Sequence, residues 1–361
     1  MGTNIAYAQL YCTVEEVIAD LGLTGDEPKL FDRIKAASKH ILQSIGNFVP
    51  ISDDRLFFPS AGQTIDIDPL LAATTVTEDT TVLQASAYRL TPNNQCWLNG
   101  PFVWIEKNWT DGSTVWQDRN LLNGPNSYLN LNSRMAWSPN GLTIVGRWGM
   151  YEEMADLGIT VASQLIGAKT LVVTNGSLLS PGMVLLIESE QEMVTAGNGG
   201  PGSVDGTVAT SQVTSAITAD VETIPVTNGA EFNQGETFRV DFENFKIRMI
   251  AGNNLLCSRG WNGTTKNTHA INSPIYVYRT FTVSRAMNGT TAAAHTSAAI
   301  SRYVIPEDVN WLCREVAGLM RMKAKVNFAS KSGNSDLGEA YYFNEFPKQI
   351  ETIRKNYKLP S

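Results

Sequence analysis

Residues 170–182 read TLVVTNGSLLSPG, and residues 223–235 read TIPVTNGAEFNQG. Both stretches fit the pattern T-x-x-V-T-N-G-x5-G, and the second follows the first at an offset of 53 residues, from 170 to 223. Glu190 and Glu243 keep the same offset. The centre of the chain therefore contains a duplicated unit, and the arrangement of its two copies decides the fold of that region.

A second pair of similar stretches lies further along the chain. SRGWNGTTKNTH at 258–269 resembles SRAMNGTTAAAH at 284–295, at an offset of 26 residues, from 258 to 284. The chain thus runs first half, first half, second half, second half. A simple tandem repeat would alternate the halves, so this order predicts that one copy is inserted into the other.

The predicted outer module consists of residues 165–198 and 280–305, and the predicted inner module of residues 199–279. The outer copy is interrupted at a Gly-Asn turn, and hairpin tips tolerate insertions because no buried backbone hydrogen bonds are lost there. Each module is rich in Val, Ile and Thr, with turn signals at short spacing, which predicts about five strands per module.

The polar residues that recur in both modules allow two interpretations. An arginine and a histidine at matching places resemble a catalytic or anion-binding site, but a histidine and a glutamate can equally hydrogen-bond a turn and fix the next strand. No nucleophile recurs beside them, which favours the structural interpretation. The residues are Glu190, Arg285 and His295 in the outer module and Glu243, Arg259 and His269 in the inner module.

Helical signals begin near the N-terminus. In TVEEVIADL at 13–21, Thr13 and Glu16 have the spacing of a capping box, and Gly22 supplies a stop. A second helix is predicted to start near residue 26, with Pro28 at the first helical position, and to end before Gly46.

Helical spacing returns near the C-terminus. One helix is predicted from Pro306, and a last one from Pro347 to about Tyr357. Residues 50–150 instead read as short strands with Gly, Pro and Asn between them.

Tryptophans are dense in this β-prone stretch, at positions 97, 104, 109, 116, 137 and 148. They would suit a sugar-binding platform, but filling a thin β-layer core is the favoured interpretation. Asp66 and Asp68 lie on one face of a predicted strand and could hold a cation, although solvated acidic strand residues are commoner.

Composition excludes several classes of function. The net charge is −7 and no dense Lys/Arg run occurs, so sequence-specific DNA binding is disfavoured. Four scattered cysteines (Cys12, Cys96, Cys257 and Cys313) predict buried free thiols in a reducing cytoplasm. The sequence contains no signal peptide, no membrane-length apolar run, and none of the Walker, HExxH or GxSxG motifs.

The two ends of the chain resemble the head–tail connector adaptor family of tailed phages. The resemblance lies in YCTVEEVIADLGL, FDRIKAASKHILQSIGNFV, VGRWGMYEE, IPEDVNWLCREVAGLMRMKAK and SDLGEAYYFNEFPKQIETIRKNYKLP. The modules are similar to a phage-associated β-module, T-x-x-V-x-x-G…G…I-x-x-E-x-M-x-V…G-N…RG-x-NGT…H. The outer copy has Glu192 where that pattern has Met, and the inner copy has Phe245.

The connector resemblance implies a structural subunit of a twelve-fold homo-oligomeric ring in the virion neck, assembled in the host cytoplasm. DNA would pass through the ring channel without sequence recognition, the β-modules would form a peripheral arm, and no membrane would be involved. The expected partners are the portal protein and a stopper or tail-tube protein. The expected portal-docking residues are Tyr341, Tyr342, Phe343, Phe346, Ile350, Ile353, Tyr357 and Leu359.

The expected fold class is α+β. A helical adaptor frame with a β-hairpin region (residues 1–160 plus 306–361) carries two small nested β-modules, inserted before the last long helix. We expect no enzyme activity, and no catalytic, cofactor-binding or metal-binding residues. Two other functions are carried as alternatives: a neck or tail adhesion or decoration protein that binds through its β-modules, and a hydrolase, for which the sequence shows no triad or metal site.

Overall fold

The computed structural model describes residues 7–59, 64–91, 101–108, 137–325, 331–332, 340–341 and 346–357. The chain divides into two compact units. The first comprises Met1–Ile45 and Met154–Asn356, and the second comprises Gly46–Glu153 and Tyr357–Ser361.

The described residues form four α-helices and 22 strands. The helices are α1 (Val14–Leu21), α2 (Leu30–Ser44), α3 (Glu307–Lys325) and α4 (Phe346–Asn356). The strands are β1 (Ile51–Phe57), β2 (Thr64–Glu78), β3 (Thr81–Val82), β4 (Tyr88–Thr91), β5 (Phe102–Lys107), β6 (Leu142–Trp148), β7 (Met154–Thr160), β8 (Ser163–Gln164), β9 (Thr170–Val172), β10 (Val184–Ile187), β11 (Glu190–Ala196), β12 (Thr207–Gln212), β13 (Thr223–Pro225), β14 (Thr237–Val240), β15 (Glu243–Ala251), β16 (Asn254–Arg259), β17 (Pro274–Val277), β18 (Thr280–Ser284), β19 (His295–Thr296), β20 (Ala299–Tyr303), β21 (Lys331–Ser332) and β22 (Ala340–Tyr341).

The expected fold class, a helical frame with small β-modules, is wrong. The protein is mostly β, with three six-stranded antiparallel sheets and two short two-stranded pairs. Helical periodicity is confined to the two ends of the chain, whereas β-prone sequence occupies nearly everything between residues 51 and 303. Inter-strand hydrogen bonding therefore dominates the backbone, and the resemblance to an adaptor, which covers under half of the chain, overstated the helical part.

The first of these sheets lies in the second unit, in the order β1-β6-β2-β5-β4, with β3 paired to β2. Trp137 and Trp148 are fully buried in its core, and the guanidinium of Arg55 lies 4.5 Å from the Trp148 ring. A structural role is confirmed for these two tryptophans. Trp104 is half-buried, whereas Trp97, Trp109 and Trp116 lie outside the described residues.

The other two large sheets belong to the first unit and have equivalent strand orders. The outer sheet runs β7-β20-β10-β11-β18-β9, and the inner sheet runs β12-β17-β14-β15-β16-β13. In the inner sheet, only Gly252 and Asn253 separate β15 from β16. Their counterparts in the outer sheet, β11 and β18, are separated by residues 197–279, which contain the whole inner sheet. Each sheet has six strands rather than about five, because an edge strand (β7 or β12) lies outside the repeated motifs.

The four helices pack together within the first unit. The capping box of α1 is confirmed: Thr13 accepts a hydrogen bond from the backbone of Glu16, whose side chain accepts one from Thr13. Gly22 ends α1 in the left-handed conformation, at φ 59°. The start expected for α2 is wrong, because the helix begins at Leu30, after a left-handed Lys29.

None of the helices in the described part of the chain is both long and apolar enough to cross a membrane.

The long helix α3 packs against α1 and α2. Its Arg321 forms an ion pair with Glu27, with Nε 2.7 Å from a carboxylate oxygen, and Arg314 lies 2.7 Å from a carboxylate oxygen of Asp20. Basic residues of α3 thus fix acidic residues that lie about 290 positions earlier in the chain.

Candidate functional site

Each module contains one buried Glu–Arg–His cluster. In the inner module, Arg259 Nε donates to Glu243 Oε1 at 2.9 Å and Arg259 Nη2 donates to Glu243 Oε2 at 2.6 Å. Both side chains are fully buried. His269 Nε2 lies 3.0 Å from Glu243 Oε2, and His269 Nδ1 lies 2.7 Å from Asp241 Oδ2. The carboxylate of Glu243 is thus the hub of the cluster.

The outer module repeats this geometry. Arg285 Nε and Nη2 donate to the carboxylate of Glu190 at 3.0 and 2.5 Å. His295 Nε2 lies 2.9 Å from Glu190 Oε2, and His295 Nδ1 lies 2.9 Å from Glu188 Oε2. The structure therefore brings together the residues that the sequence matched between the copies.

The two hub carboxylates also hold the loops that follow β16 and β18. Glu243 accepts backbone hydrogen bonds from Gly260 and Asn267, at 3.1 and 2.8 Å. Glu190 accepts the equivalent bonds from Ala286 and Ala293, at 3.0 and 2.8 Å. The side chains close these loops, as expected from the structural interpretation of the repeat.

The hydrogen bonds set the charge state of both hubs. Burial alone raises the pKa of Glu190, but the hydrogen bonds from Arg285, Ala293 and His295 outweigh it and lower the pKa to about 2. Burial likewise opposes ionisation of Glu243, and the bonds from Arg259 and His269 again lower its pKa. Because both ring nitrogens of each histidine face carboxylates, neither ring is placed to activate a hydroxyl or thiol.

The repeated NGT turns attach the modules to the N-terminal segment. Asn288 Oδ1 accepts a hydrogen bond from the backbone N–H of Ala8 at 2.8 Å, and Asn288 Nδ2 donates to the Ala8 carbonyl at 3.2 Å. In the inner module, Asn262 Oδ1 accepts from the backbone N–H of Asp26 at 2.8 Å. A Cβ at Gly25 would lie 2.2 Å from the Asn262 backbone nitrogen, so only glycine allows this approach.

The two modules also contact each other directly. The fully buried Glu236 of the inner module accepts a hydrogen bond from the backbone N–H of Gly176, in the outer TNG turn, at 3.0 Å. Arg279 Nε donates to the same Glu236 oxygen at 2.7 Å. The TNG motif of one copy thus serves as part of the contact with the other.

Part of the expected docking set lies within the described residues. Ile353 is buried within the chain and Ile350 is half-buried. The half-buried Tyr357 ring packs edge-on against Phe48, with the ring centroids 4.9 Å apart. Tyr341 lies in β22 and Phe346 begins α4. Tyr342, Phe343 and Leu359 lie outside the described residues.

The acidic pair of β2 and Trp261 of the inner module lie in ordinary structural settings. Asp66 and Asp68 are exposed on β2, and Asp68 accepts a hydrogen bond from Arg55 at 2.8 Å. Trp261 is half-buried, with the amine of Lys246 lying 5.7 Å from its ring centroid.

Sequence reasoning missed one group of residues. Glu190, Glu192 and His295 are all buried, and each offers one possible metal-ligand atom within 4.8 Å of the others. Gln164, also buried, donates to Glu192 at 3.1 Å. The departure from the module pattern at Glu192 was the available signal, since its counterpart at the 53-residue offset is Phe245.

Comparison with known proteins gives no family assignment. No protein-family profile, curated protein or solved structure matches this chain.

Proposed function

We propose that this chain is a structural, non-enzymatic subunit of the head–tail connector of a tailed phage. In this proposal it assembles into a homo-oligomeric ring, binds the portal on one side and a stopper or tail-tube protein on the other, and surrounds DNA. The observation that carries the proposal is the packing of the two chain ends. The segments that resemble an adaptor lie far apart in sequence, yet Asp20–Arg314 and Glu27–Arg321 hold them in one unit.

The net charge of the chain supports a role in which DNA passes through the ring without being bound. At a net charge of −7 with no basic run, the protein offers few cations to replace the counterions of the phosphate backbone. Such a ring would let DNA move through its channel without holding it.

The proposal assigns portal docking to the segment from Tyr341 to Leu359. Ile353 is buried against the rest of the chain, so its contribution is to hold α4 in place. The aromatic residues that precede α4 would then supply the apolar contact with the portal.

Ring assembly and docking can be tested separately. The full chain is examined by native mass spectrometry and negative-stain microscopy, alone and with portal-bearing heads. We expect closed rings from the full chain, and a deletion of residues 343–361 that still forms rings but no longer attaches to heads. A full chain that stays monomeric in the presence of the portal contradicts the ring, and normal attachment of the deletion contradicts the docking segment.

One observation favours adhesion or decoration as a second candidate function. Phe242, at the turn between β14 and β15, is 91% exposed, and Ile271 is 56% exposed. Asp241, the residue before Phe242, contacts His269, and Ile271 follows His269 by two positions in the chain. Binding of the full chain to host-cell envelopes that falls sharply in Phe242→Ser would favour this function. Binding that is absent, or unchanged by the substitution, would speak against it.

A further inference from the structure

The two modules differ by a coupled replacement next to their Glu–Arg–His clusters. Gln164 pairs with His295 between β8 and β19, and Ile217 forms the equivalent bridge with His269. At the same 53-residue offset, Glu192 of β11 corresponds to Phe245 of β15. A buried polar pair in the outer module thus replaces an apolar pair that belongs to the core of the inner module.

The replacement leaves polar atoms without full partners. Glu192 is fully buried and Gln164 is 2% exposed. The amide of Gln164 lies against Glu192, with Nε2 3.1 Å from Oε2, but Gln164 Oε1 has no hydrogen-bond partner. Glu192 Oε1 is held only by the ion pair with Arg285, whose Nε lies 3.1 Å from it. Burying the Gln164 amide oxygen unsatisfied is unfavourable unless a ligand completes it.

The charges of the two clusters also differ. The inner cluster contains two carboxylates, Asp241 and Glu243, against one guanidinium, that of Arg259. The outer cluster has three carboxylates against the single guanidinium of Arg285. The outer cluster thus has one carboxylate more than the inner cluster for the same single guanidinium, and a bound cation would balance this extra charge.

The imidazole of His295 is oriented as metal-binding histidines usually are. Its Nδ1 lies 2.9 Å from Glu188 Oε2, and its Nε2 points into the cluster, 2.9 Å from Glu190 Oε2. A carboxylate that accepts the hydrogen bond from one ring nitrogen fixes the tautomer and leaves the other nitrogen to bind a metal.

We propose that the outer module binds one divalent transition-metal cation, Mn²⁺ or Zn²⁺, through Glu190, Glu192 and His295, with the amide oxygen of Gln164 as a fourth ligand. The mixture of carboxylate, amide and imidazole ligands suits these ions. The candidate ligand atoms of Glu190, Glu192 and His295 lie within 4.8 Å of one another. Bonds of about 2.1 Å would bring them to about 3–3.5 Å, which needs shifts of about 1 Å. Arg285 keeps its bonds to the Leu165 and Ala293 carbonyls.

The bound ion would be structural. It would join β11 to β8 and β19, across the seam where the chain returns to the outer module after the insertion. The inner module needs no ion, because Phe245 and Ile217 fill the same space with apolar side chains.

Isothermal titration calorimetry of the full chain, without a histidine tag, tests the site with MnCl₂ and ZnCl₂ in separate titrations. The variant Gln164→Ile/Glu192→Phe copies the inner module into the outer one. We expect one ion per chain for the wild type, and at least about tenfold weaker binding for this variant. The reciprocal variant, Ile217→Gln/Phe245→Glu, copies the outer ligand set into the inner module, and we expect it to bind a second ion per chain.

Circular dichroism and the melting temperature show whether Gln164→Ile/Glu192→Phe is folded. The inner module has Ile and Phe at the equivalent positions, so the same scaffold accepts these side chains. A second variant, His295→Gln, removes the nitrogen ligand while leaving both carboxylates in place, and it must also weaken binding. The proposal is overturned if neither ion shows saturable binding at concentrations up to about 1 mM. An ion that binds more weakly than this would not measurably stabilise the folded chain. It is equally overturned if both variants bind as tightly as the wild type.

Discussion

Arg259 and Glu243 form a fully buried, two-point ion pair between neighbouring strands, with N–O distances of 2.9 and 2.6 Å. Neither charge reaches solvent, so each depends on the other for compensation. Removing one partner leaves the other charge buried alone, which is far more costly than losing a surface pair.

We therefore expect Glu243→Ala to lower the free energy of unfolding by about 3–5 kcal/mol. Equilibrium urea denaturation at pH 7, followed by circular dichroism, measures the change. The matched control is Glu222→Ala, which removes the exposed ion pair with Arg248 and should cost less than about 1 kcal/mol. Equal losses in the two variants would contradict a special role for the buried pair.

The same residue predicts sensitivity to acid. Because the folded-state pKa of Glu243 is lowered, its contribution to stability is present above the unfolded-state pKa and is lost as the pH falls through the folded-state value. We expect Glu243→Gln to be less stable than the wild type at pH 7 and the gap to narrow towards pH 2. Urea midpoints measured across this range provide the test, and a gap that widens in acid would be inconsistent with it.

Asp26 predicts the opposite pH dependence. Burial, with the nearby charges of Glu15 and Glu27, raises its pKa to about 7, and its Oδ1 has no hydrogen-bond partner. A raised carboxyl pKa gives stability that is present in acid and lost as the pH rises through about 7. Asp26→Asn should therefore gain on the order of 2 kcal/mol at pH 8, after allowance for partial exposure, and little at pH 4. Urea midpoints at both pH values measure this gain, and an equal effect at both would argue against ionisation as the cause.

The NGT asparagines are expected to hold the N-terminal segment onto the modules. Asn288 is fully buried in a left-handed conformation, at φ 51°, and bonds both the N–H and the C=O of Ala8. We expect Asn288→Ala to cost about 2–3 kcal/mol and to raise amide hydrogen exchange at residues 8–12. Asn272, exposed at φ 65°, is the control for the backbone conformation alone. If Asn272→Ala produces the same loss, the side-chain hydrogen bonds of Asn288 to Ala8 and Gln191 contribute nothing.

The thiols should be unreactive in the folded protein. Cys12, Cys257 and Cys313 are buried and free, as the scattered spacing predicted, and Cys96 lies outside the described residues. Burial raises the pKa of Cys257 to about 12 and that of Cys12 well above its usual value. In a Cys96→Ser background we expect almost no alkylation by iodoacetamide at pH 8 until urea is added. Rapid labelling of the native protein, measured by mass spectrometry, would refute this burial.

Local sequence signals predicted local structure well. The Thr13–Glu16 capping box and the Gly22 stop need only neighbouring residues, and the repeat identified Glu190 and Glu243 as equivalent hubs. The partners of Asn288 could not be predicted, because Ala8 lies 280 positions away and its contact is made through the backbone. Short-range patterns carry no information about such pairings.

The predicted proportion of helix and strand was wrong for a related reason. The family resemblance rests on the helical ends, whereas strand number depends on pairings such as β7 with β20 that the repeated motifs do not include. The Gln164–Glu192 pair was missed because a buried polar pair becomes visible only when both members are compared with their counterparts in the other copy.

The insertion of one module into a hairpin of the other has a consequence for synthesis on the ribosome. Strands β10 and β11 emerge early, but their neighbours β20 and β18 emerge only after residues 197–279. The inner sheet, whose strands are nearly continuous in sequence, can be complete before the outer sheet has its final strands. The outer strands that have already been synthesised therefore keep unpaired edges until β18 and β20 emerge. Folding of the inner sheet in the meantime shortens the effective distance that the returning chain must close.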